Sequence, residues 1–403
     1  YFHTKEPIDS EFNFESNYNN NLLPAKEMGF KVYQYGVELP LAYNNGNGSP
    51  QVPEGYPNAI ARIAKDTSPE GNGTIDLVKA PPRPENNTWN PEKGEFDYTA
   101  EEIAKYESVM HQGGMRRDAI LNFLKEKGIG LQTIDIVMAR GGLITPIRTG
   151  VYGVNQEMKD ALRSGKDGVH ACNLSALIAD DIASEVNRAR SAKGIEGECR
   201  AFIADPPMAD EMLPEVKVGG IPEFERRTLF HALNSRAMVR RYARSVGKTN
   251  KEVTVIVAHM GGGSSVSLHR NGLVIDTNDA LGGDGPISPE RAGSVPGFPL
   301  VEMCFSGQYT KAEIKKMLVG KGGAVGHLGT NDFREGENRA VAGEPAFVEF
   351  LNAFCISVAK YIGAMATVVG GKVDAIILTG GIAYGKPITR PITEMVQFIA
   401  PVE

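Results

Sequence analysis

Cysteine is scarce in this chain. Cys172, Cys199, Cys304 and Cys355 are scattered along 403 residues, and no two form a CxxC pair. That excludes a disulfide framework or a zinc site and reads as reduced thiols of a cytoplasmic protein. Excess positive charge is missing too: 43 Lys and Arg stand against 49 Asp and Glu, for a formal net charge of −6. Neither a nucleic acid nor an anionic membrane surface is expected as the main partner. No apolar run approaches the roughly 18 residues of a membrane span. The chain starts at Tyr1 without a charged and apolar leader. Sequons at Asn47, Asn72 and Asn86 fall in Asn/Gly-rich sequence, where chance supplies them; Asn173 heads a fourth.

What is present is ordinary for a globular protein: 41% apolar and 23% charged residues. The length fits about two domains. Residues 9–95 stand apart. "YNNGNGSPQVPEGYPN" and "APPRPENNTWNPEKG" are turn-rich and lack apolar periodicity, so the stretch reads as an atypical, partly irregular insertion.

From residue 96 onward the pattern is α/β. Thr99 and Glu102 fit a capping box, and "MRRDAILNFLKEKG" is a helix ending near Gly128. "TIDIVMARGG" is a buried strand entering a glycine turn. Leu174, Leu177, Ile178, Ile182 and Val186 share one helical face. "CRAFIADPP" is a strand stopped by proline, and "ERRTLFHALNSRAMVRRYARSVG" is a long helical segment. Then "EVTVIVAHMGGGSSVSLHRNGLVIDTNDAL" gives strand, glycine loop, strand, Asn-Gly turn and a third strand. "VDAIILTGGIAYG" is again a strand ending in a glycine pair. Strands with glycine-rich ends, separated by helices, predict an α/β sheet with a ligand along the strand ends.

The chemistry gathers at those ends. Gly261, Gly262 and Gly263 let backbone N–H groups converge on an anion, and Ser264 and Ser265 add hydroxyls. A strand follows them, which excludes a Walker loop or a dinucleotide fingerprint. Taken alone, the loop is equally a bulged turn. Arg140 beside a glycine pair and Arg291 in "GPISPERAG" have the planar fork that grips carboxylate or phosphate, or else form surface ion pairs. Asp205 at a strand end could hold Mg²⁺ or cap a turn. His231 in "LFHALN" could be a core histidine, and Phe230 a pocket wall or plain core. The arginines at 226, 227, 236, 240, 241 and 244 read as a solvated helix face rather than a nucleic-acid stripe. Taken together, the arginines, carboxylate, histidine and glycine loops match phosphoryl transfer, which needs positioning and charge stabilisation more than covalent help.

In order, "ARGGLITPI", "GVYGVNQEM", "HACNLSALIADDIA", "AFIADPPMADE", "GIPEFERRTLFHALNSRAMVRRYA", "VAHMGGGSSVSLHRNGLVIDTNDALGGDGPISPERAG" and "VDAIILTGGIAY" resemble the butyrate kinases. These form part of the acetate kinase branch of the acetate/sugar kinase and actin superfamily. The resemblance covers about residues 97–403. It implies an α/β fold of two actin-like (ribonuclease-H-like) domains, each a mixed sheet flanked by helices, with a cleft between them. The first domain would run over 96–205 and the second, nucleotide-binding, over 206–403. It implies a reversible reaction of ATP with butyrate or a similar short-chain or branched acid, giving acyl phosphate and ADP with Mg²⁺. By resemblance, His259, Gly261, Gly262, Gly263, Ser264 and Ser265 hold the nucleotide phosphates. Arg291 and His231 steady the transferred phosphoryl group, Asp205 lies near the metal, and Arg140 is the substrate-side arginine. Gly380, Gly381 and Ile382 form the adenosine-side loop, with Asp332 and Arg334 contacting adenosine. A homo-oligomer, dimer or higher, is the family expectation.

Two family features are absent from the given sequence: an N-terminal Asn-Pro-Gly-Ser-Thr-Ser-Thr-Lys phosphate loop and an acidic C-terminal tail. Residues 1–8, "YFHTKEPI", resemble the strand following that loop. The expectation is a chain lacking both segments. A nucleotide-binding pseudoenzyme or truncated inactive paralogue, and acetate kinase itself, remain as alternatives.

Overall fold

A computed structural model describes residues 100–403, together with the backbone of five short strands ahead of them. Three of those strands, Val32–Tyr33, Ile60–Ile63 and Ile75–Val78, pair antiparallel. Trp89–Asn90 pairs with Glu95–Phe96. The expectations for residues 1–8, for most of 9–95 and for a cap at Thr99 lie outside the described residues. The chain divides into two compact units, Tyr1–Pro206 and Pro207–Glu403.

In the first unit, helix α1 (Gly113–Glu126) leads to strand β1 (Ile136–Ala139), with Gly128 at φ +66° just past the helix end. Strand β2 (Val151–Gly153) and helix α2 (Gln156–Ser164) follow, then helix α3 (Asn173–Ser191) and strand β3 (Arg200–Ala204). The sheet order is β1-β3-β2, with β1 parallel and β2 antiparallel to β3. Leu174, Ile178, Ile182 and Val186 form the buried stripe of α3, with Leu177 packed at its margin. The 3.6-residue period in the sequence therefore locates the face that covers the sheet.

In the second unit a single helical turn, Pro214–Lys217, precedes helix α4 (Ala232–Ser245). Strands β4 (Thr254–Met260), β5 (Ser264–Arg270) and β6 (Leu273–Thr277) are successive hairpin partners. Asn271 and Gly272 both take positive φ, 55° and 79°, as an Asn-Gly hairpin requires. Helices α5 (Gly297–Phe305), α6 (Phe333–Val341) and α7 (Pro345–Val368) come next. Strand β7 (Ala375–Thr379) and helix α8 (Lys386–Val396) follow them. The sheet order is β6-β5-β4-β7, with β7 parallel to β4. Strand β4 is buried on both faces. Ile256, Ala258 and Met260 meet α7 and α8 residues, while Val255 and Val257 meet Val239 and Ala243 of α4. Period-two alternation thus distributes one strand between two helical layers.

Two sequence expectations are corrected. The helix expected from residue 225 begins only at Ala232. Leu229 bridges Asp279 in parallel, and the Arg226 and Arg227 side chains are drawn to carboxylates, so this stretch is extended. Second, α7 has the length and apolarity of a membrane span, with mean hydropathy 1.4 over an 18-residue window. Its Phe347, Phe350, Phe354, Val358, Ile362 and Met365 are buried in the core of the second unit, so it is a core helix.

Candidate active site

The second unit places two expected residues, His259 and Ser265, against one another by strand register, with Thr379 beside them. Thr379 of β7, His259 of β4 and Ser265 of β5 are direct partners across the sheet and share one face. Directly before α4, His231 reaches back to this row. Its Nδ1 lies 2.8 Å from the Ser265 hydroxyl, and its ring stacks on His259 with centroids 3.8 Å apart. Asn234, on the first turn of α4, places its amide 2.7 Å from His259 Nδ1 and 3.3 Å from the Thr379 hydroxyl. Four of the five sit on strands or on α4, and His231 sits at the N-terminal cap of α4, which is what a preorganised site needs.

Ser264 sits one position away, on the opposite face, in a recess also lined by Ala280, Asp284, Pro286 and Arg291. Its buried hydroxyl has no hydrogen-bond partner among the described residues. An orphaned buried hydroxyl beside an arginine fits a site that receives an acceptor-rich ligand. Arg291 reaches the glycine hairpin itself. A Cβ on Gly263 would overlap the Arg291 guanidinium, so only glycine permits this seat. Arg291 also donates to the Ala280 carbonyl at 3.1 Å, and Ser288 donates to the Gly262 carbonyl at 3.2 Å. The turn reading of "GGGSS" is thereby extended: Gly261 N–H does bond Gly263 O at 3.1 Å, but the turn is shaped around a cation.

The second glycine pair abuts the same strand end. Gly380, at φ +92°, lies so close to the Met260 carbonyl that a side-chain methyl would overlap it, and Ile382 behind it is buried. Asp332 caps α6, accepting from Arg334 N–H at 2.9 Å and Glu335 N–H at 3.4 Å. The Arg334 side chain, 86% exposed, lies 3.6 Å from Asp332. These two therefore have a visible local role at a helix start. Nearby, Gly385 accommodates the Glu337 carboxylate, whose pKa is raised by burial.

In the first unit, Arg140 and Asp205 follow the carboxyl ends of the parallel neighbours β1 and β3, where Ala139 pairs with Ile203. Arg140 is exposed, and its charge acts on the partly buried Cys172 thiol. Asp205 is buried at 5% exposure and holds φ +41°, rare for a non-glycine residue. It exchanges two hydrogen bonds with Gly150, N–H to O at 2.8 Å and carboxylate from N–H at 2.8 Å. The loop from Arg140 to Gly150 is fastened further by Asn173, whose side chain accepts Leu143 N–H at 2.9 Å. A single buried carboxylate suits Mg²⁺ in a nucleotide site, where phosphates and water complete the shell. Among the described residues there is no cluster of three or more His, Cys, Asp or Glu that would make an all-protein cage.

Sequence reasoning missed Asn234, Thr379 and Ser288. Asn234 lies three residues after His231, the spacing that stacks residues on a helix face, and that spacing is the signal that could have found it. It also misread Arg226 and Arg227. Arg226 pairs with Asp276 at 3.2 Å and Asp284 at 3.4 Å, and Arg227 with Asp279 at 3.1 Å. Burial raises the Asp276 pKa against the opposing pull of Arg226. These arginines tie the loop after β6 in place rather than lining a solvated helix. Phe230 is 2% exposed and packs with Ala209, Ala232 and Val274 as core.

Comparison with known proteins follows the same lines. The acetokinase family profile matches residues 223–394. A probable butyrate kinase of Phocaeicola vulgatus is 47% identical over 305 residues, covering 76% of this chain and 82% of that protein. Butyrate kinase 1 of Clostridium acetobutylicum is 44% identical over 305 residues, covering 76% and 83%. Among solved structures, acetate kinase of Porphyromonas gingivalis has a TM-score of 0.58 at 19% identity, covering 87% of this chain and 83% of that one. A propionate kinase of Francisella tularensis reaches 0.54 at 18% identity, covering 85% and 78%. Those likenesses show the actin-like fold expected from the sequence, with mixed sheets flanked by helices.

Proposed function

The chain belongs to the acetokinase family and is a carboxylate kinase, and on that basis we propose that it phosphorylates butyrate or a similar short-chain acid by direct in-line transfer from ATP. One oxygen of the substrate carboxylate attacks the γ-phosphorus. The new P–O bond forms as the bond to the β,γ-bridging oxygen breaks, and ADP leaves with that electron pair. No protein nucleophile is required.

The observation that carries the reading is Arg291 seated over Gly263 beside the unpartnered Ser264 hydroxyl. In this reading Arg291 offsets the charge spread over the transferred phosphoryl oxygens, and His231, held by Ser265, donates to one of them. His259, Gly261, Gly262, Gly263, Ser264 and Ser265 cradle the nucleotide phosphates. The loop at Gly380, Gly381 and Ile382, with Asp332 and Arg334, attends to adenosine. Arg140 grips the acid's carboxylate and lowers its repulsion from ATP. Asp205 holds Mg²⁺, which when bound neutralises phosphate charge. Burial of the acyl chain contributes about 0.8 kcal/mol per CH₂, enough to favour butyrate over acetate given an apolar wall. The enzyme acts in the cytoplasm, where ATP is supplied and its four free thiols stay reduced.

We assign it to a homo-oligomer as well. Helix α5 buries none of its residues, and Phe298, Val301 and Phe305, spaced i, i+3 and i+7, are 87%, 50% and 87% exposed. An unpaired apolar stripe of this size suits a second copy of the chain.

The test is a hydroxamate assay with acetate, propionate, butyrate and isobutyrate. The proposal expects kcat/KM to peak at the four-carbon acids and to require ATP and Mg²⁺. Equal turnover on acetate and butyrate would overturn the substrate assignment, and no acyl phosphate from any acid would overturn the reaction.

A further inference from the structure

The segment Gly285–Ser294 carries Arg291, and its backbone is held at both flanks. On the Arg291 side the bonds are main-chain: Ala292 N–H to Leu318 O at 3.0 Å, Gly320 N–H to Glu290 O at 2.7 Å and Ser288 N–H to Arg291 O at 3.1 Å. On the other side the acceptors are two side chains of α7, together with Ser294 Oγ, which shares Gly285 N–H at 3.1 Å. Tyr361 Oη accepts Gly285 N–H at 3.0 Å, and Ser357 Oγ accepts Ile287 N–H at 3.1 Å. Four residues apart, these hydroxyls stand on one face of an otherwise strongly apolar helix.

Tyr361 does more than accept. Its hydroxyl donates to the Asp284 carboxylate at 3.1 Å and meets Ser294 Oγ at 2.5 Å. Gly285 and Ser294 also bond each other, through Ser294 N–H to Gly285 O at 3.0 Å. One hydroxyl therefore touches the entry and the exit of the Arg291 loop. Burial holds the Tyr361 phenol above its ordinary pKa, so it stays a donor across the neutral range.

A loop with glycines at 285 and 293 would otherwise sample many conformations, and each would displace a guanidinium that must meet charge only as it develops. We propose that Tyr361, assisted by Ser357, is the positioning residue that fixes Arg291 for the phosphoryl group. The inference rests on Arg291 acting in the transfer, as argued above. Tyr361 touches the loop backbone, not the reacting atoms, so its effect passes through Arg291.

The experiment uses the full chain and the variants Tyr361→Phe, Ser357→Ala, Arg291→Ala and the double variant Tyr361→Phe/Arg291→Ala. Tyr361→Phe keeps the ring and its packing and removes the hydroxyl. Its kcat is expected to fall about tenfold or more while KM for ATP moves less than about threefold, the pattern of an interaction made in the transition state. In the Arg291→Ala background the same change should cost less than about twofold, because the residues act as one unit. Amide exchange read by mass spectrometry should quicken in residues 285–294 and stay unchanged in the 254–270 hairpin. An equal fold-loss in both backgrounds, or unchanged exchange in the loop, overturns the proposal. Where Arg291→Ala is too slow to assay, the exchange result decides. Should Tyr361→Phe not fold, Ser357→Ala carries the same readouts. Normal turnover of Arg291→Ala would instead overturn the underlying role of Arg291, a distinct result.

Discussion

His231 and His259 lie face to face, 3.8 Å between ring centroids and 11° from parallel. Each is held at Nδ1, His231 by Ser265 and His259 by Asn234. The stack is therefore a single rigid piece, and loss of either ring leaves the other without its wall. Alanine at either position is expected to lower kcat by about 10²-fold, within the range for a positioned proton-transfer or donor group. The double variant should fall little further than the worse single one, since residues acting as a unit are non-additive. Fully multiplicative losses in kcat would show two independent roles.

Gly263 is the second lever on the site. An alanine methyl there would overlap the Arg291 guanidinium, and that side chain is the part able to move. Gly263→Ala should thus fold with nearly unchanged Tm yet lose about as much kcat as removal of Arg291 itself. A variant with full activity would show that Arg291 works from another position.

Arg291→Ala is expected to reduce kcat by about 10²–10³-fold, the loss seen when one charge-stabilising donor is removed. Arg291→Lys should recover little of it. A lysine is a point charge and cannot supply the planar fork that reaches both the Ala280 carbonyl and a ligand. Steady-state kinetics of both variants on butyrate decide the matter, and near-normal turnover by Arg291→Ala would make the residue structural.

Much of this site was legible because its residues sit at strand ends in the sequence. Strand β4, the glycine loop and β5 are readable from an apolar run, three consecutive glycines and the Asn-Gly turn, and their register then makes His259 face Ser265. Thr379 was not legible. Its relevance depends on β7 pairing in parallel with β4 across more than a hundred residues of chain, which local periodicity does not encode. Arg226 and Arg227 misled for a related reason. Helix propensity favours the run through Arg226, and long-range carboxylates at Asp276 and Asp279 override it. The apolar stretch of α7 escaped notice because Glu349 and Lys360 interrupt it, although the buried stripe continues past both.

A pH dependence follows from His269 on β5. It is fully enclosed, bonds Ser267 Oγ at 2.9 Å, and burial, aided by the Arg236 charge, lowers its pKa to about 3. The unfolded chain takes a proton at an ordinary histidine pKa near 6.5. Between those values the unfolded state binds one more proton than the folded state, so this group's contribution is lost as pH falls, by about 1.4 kcal/mol per unit. His269→Phe removes that slope and leaves the Ser267 hydroxyl unpaired, costing about 1–3 kcal/mol at neutral pH. Urea titrations from pH 7 to 5 should show the two stabilities converging. Parallel curves would mean that His269 charges within the folded protein.

Asp205 poses the sharpest choice between fastening and metal binding. Its positive φ and its two-way bonding with Gly150 make it a strand-end clasp whatever else it does. Asparagine is nearly isosteric, tolerates the left-handed region, and keeps an oxygen for the Gly150 N–H. Asp205→Asn should therefore hold its Tm while losing the charge a divalent cation needs. The expected result is a rise of about tenfold or more in the Mg²⁺ concentration giving half-maximal rate, with kcat reduced as well. Asp205→Gly separates the two roles: it relieves the backbone conformation but removes the clasp, so it should lose stability along with Mg²⁺ response. Calorimetric titration of nucleotide with and without Mg²⁺ supplies a readout independent of turnover. If Asp205→Asn binds nucleotide with the same Mg²⁺ dependence as the wild type, Asp205 is the clasp alone and the metal is held elsewhere.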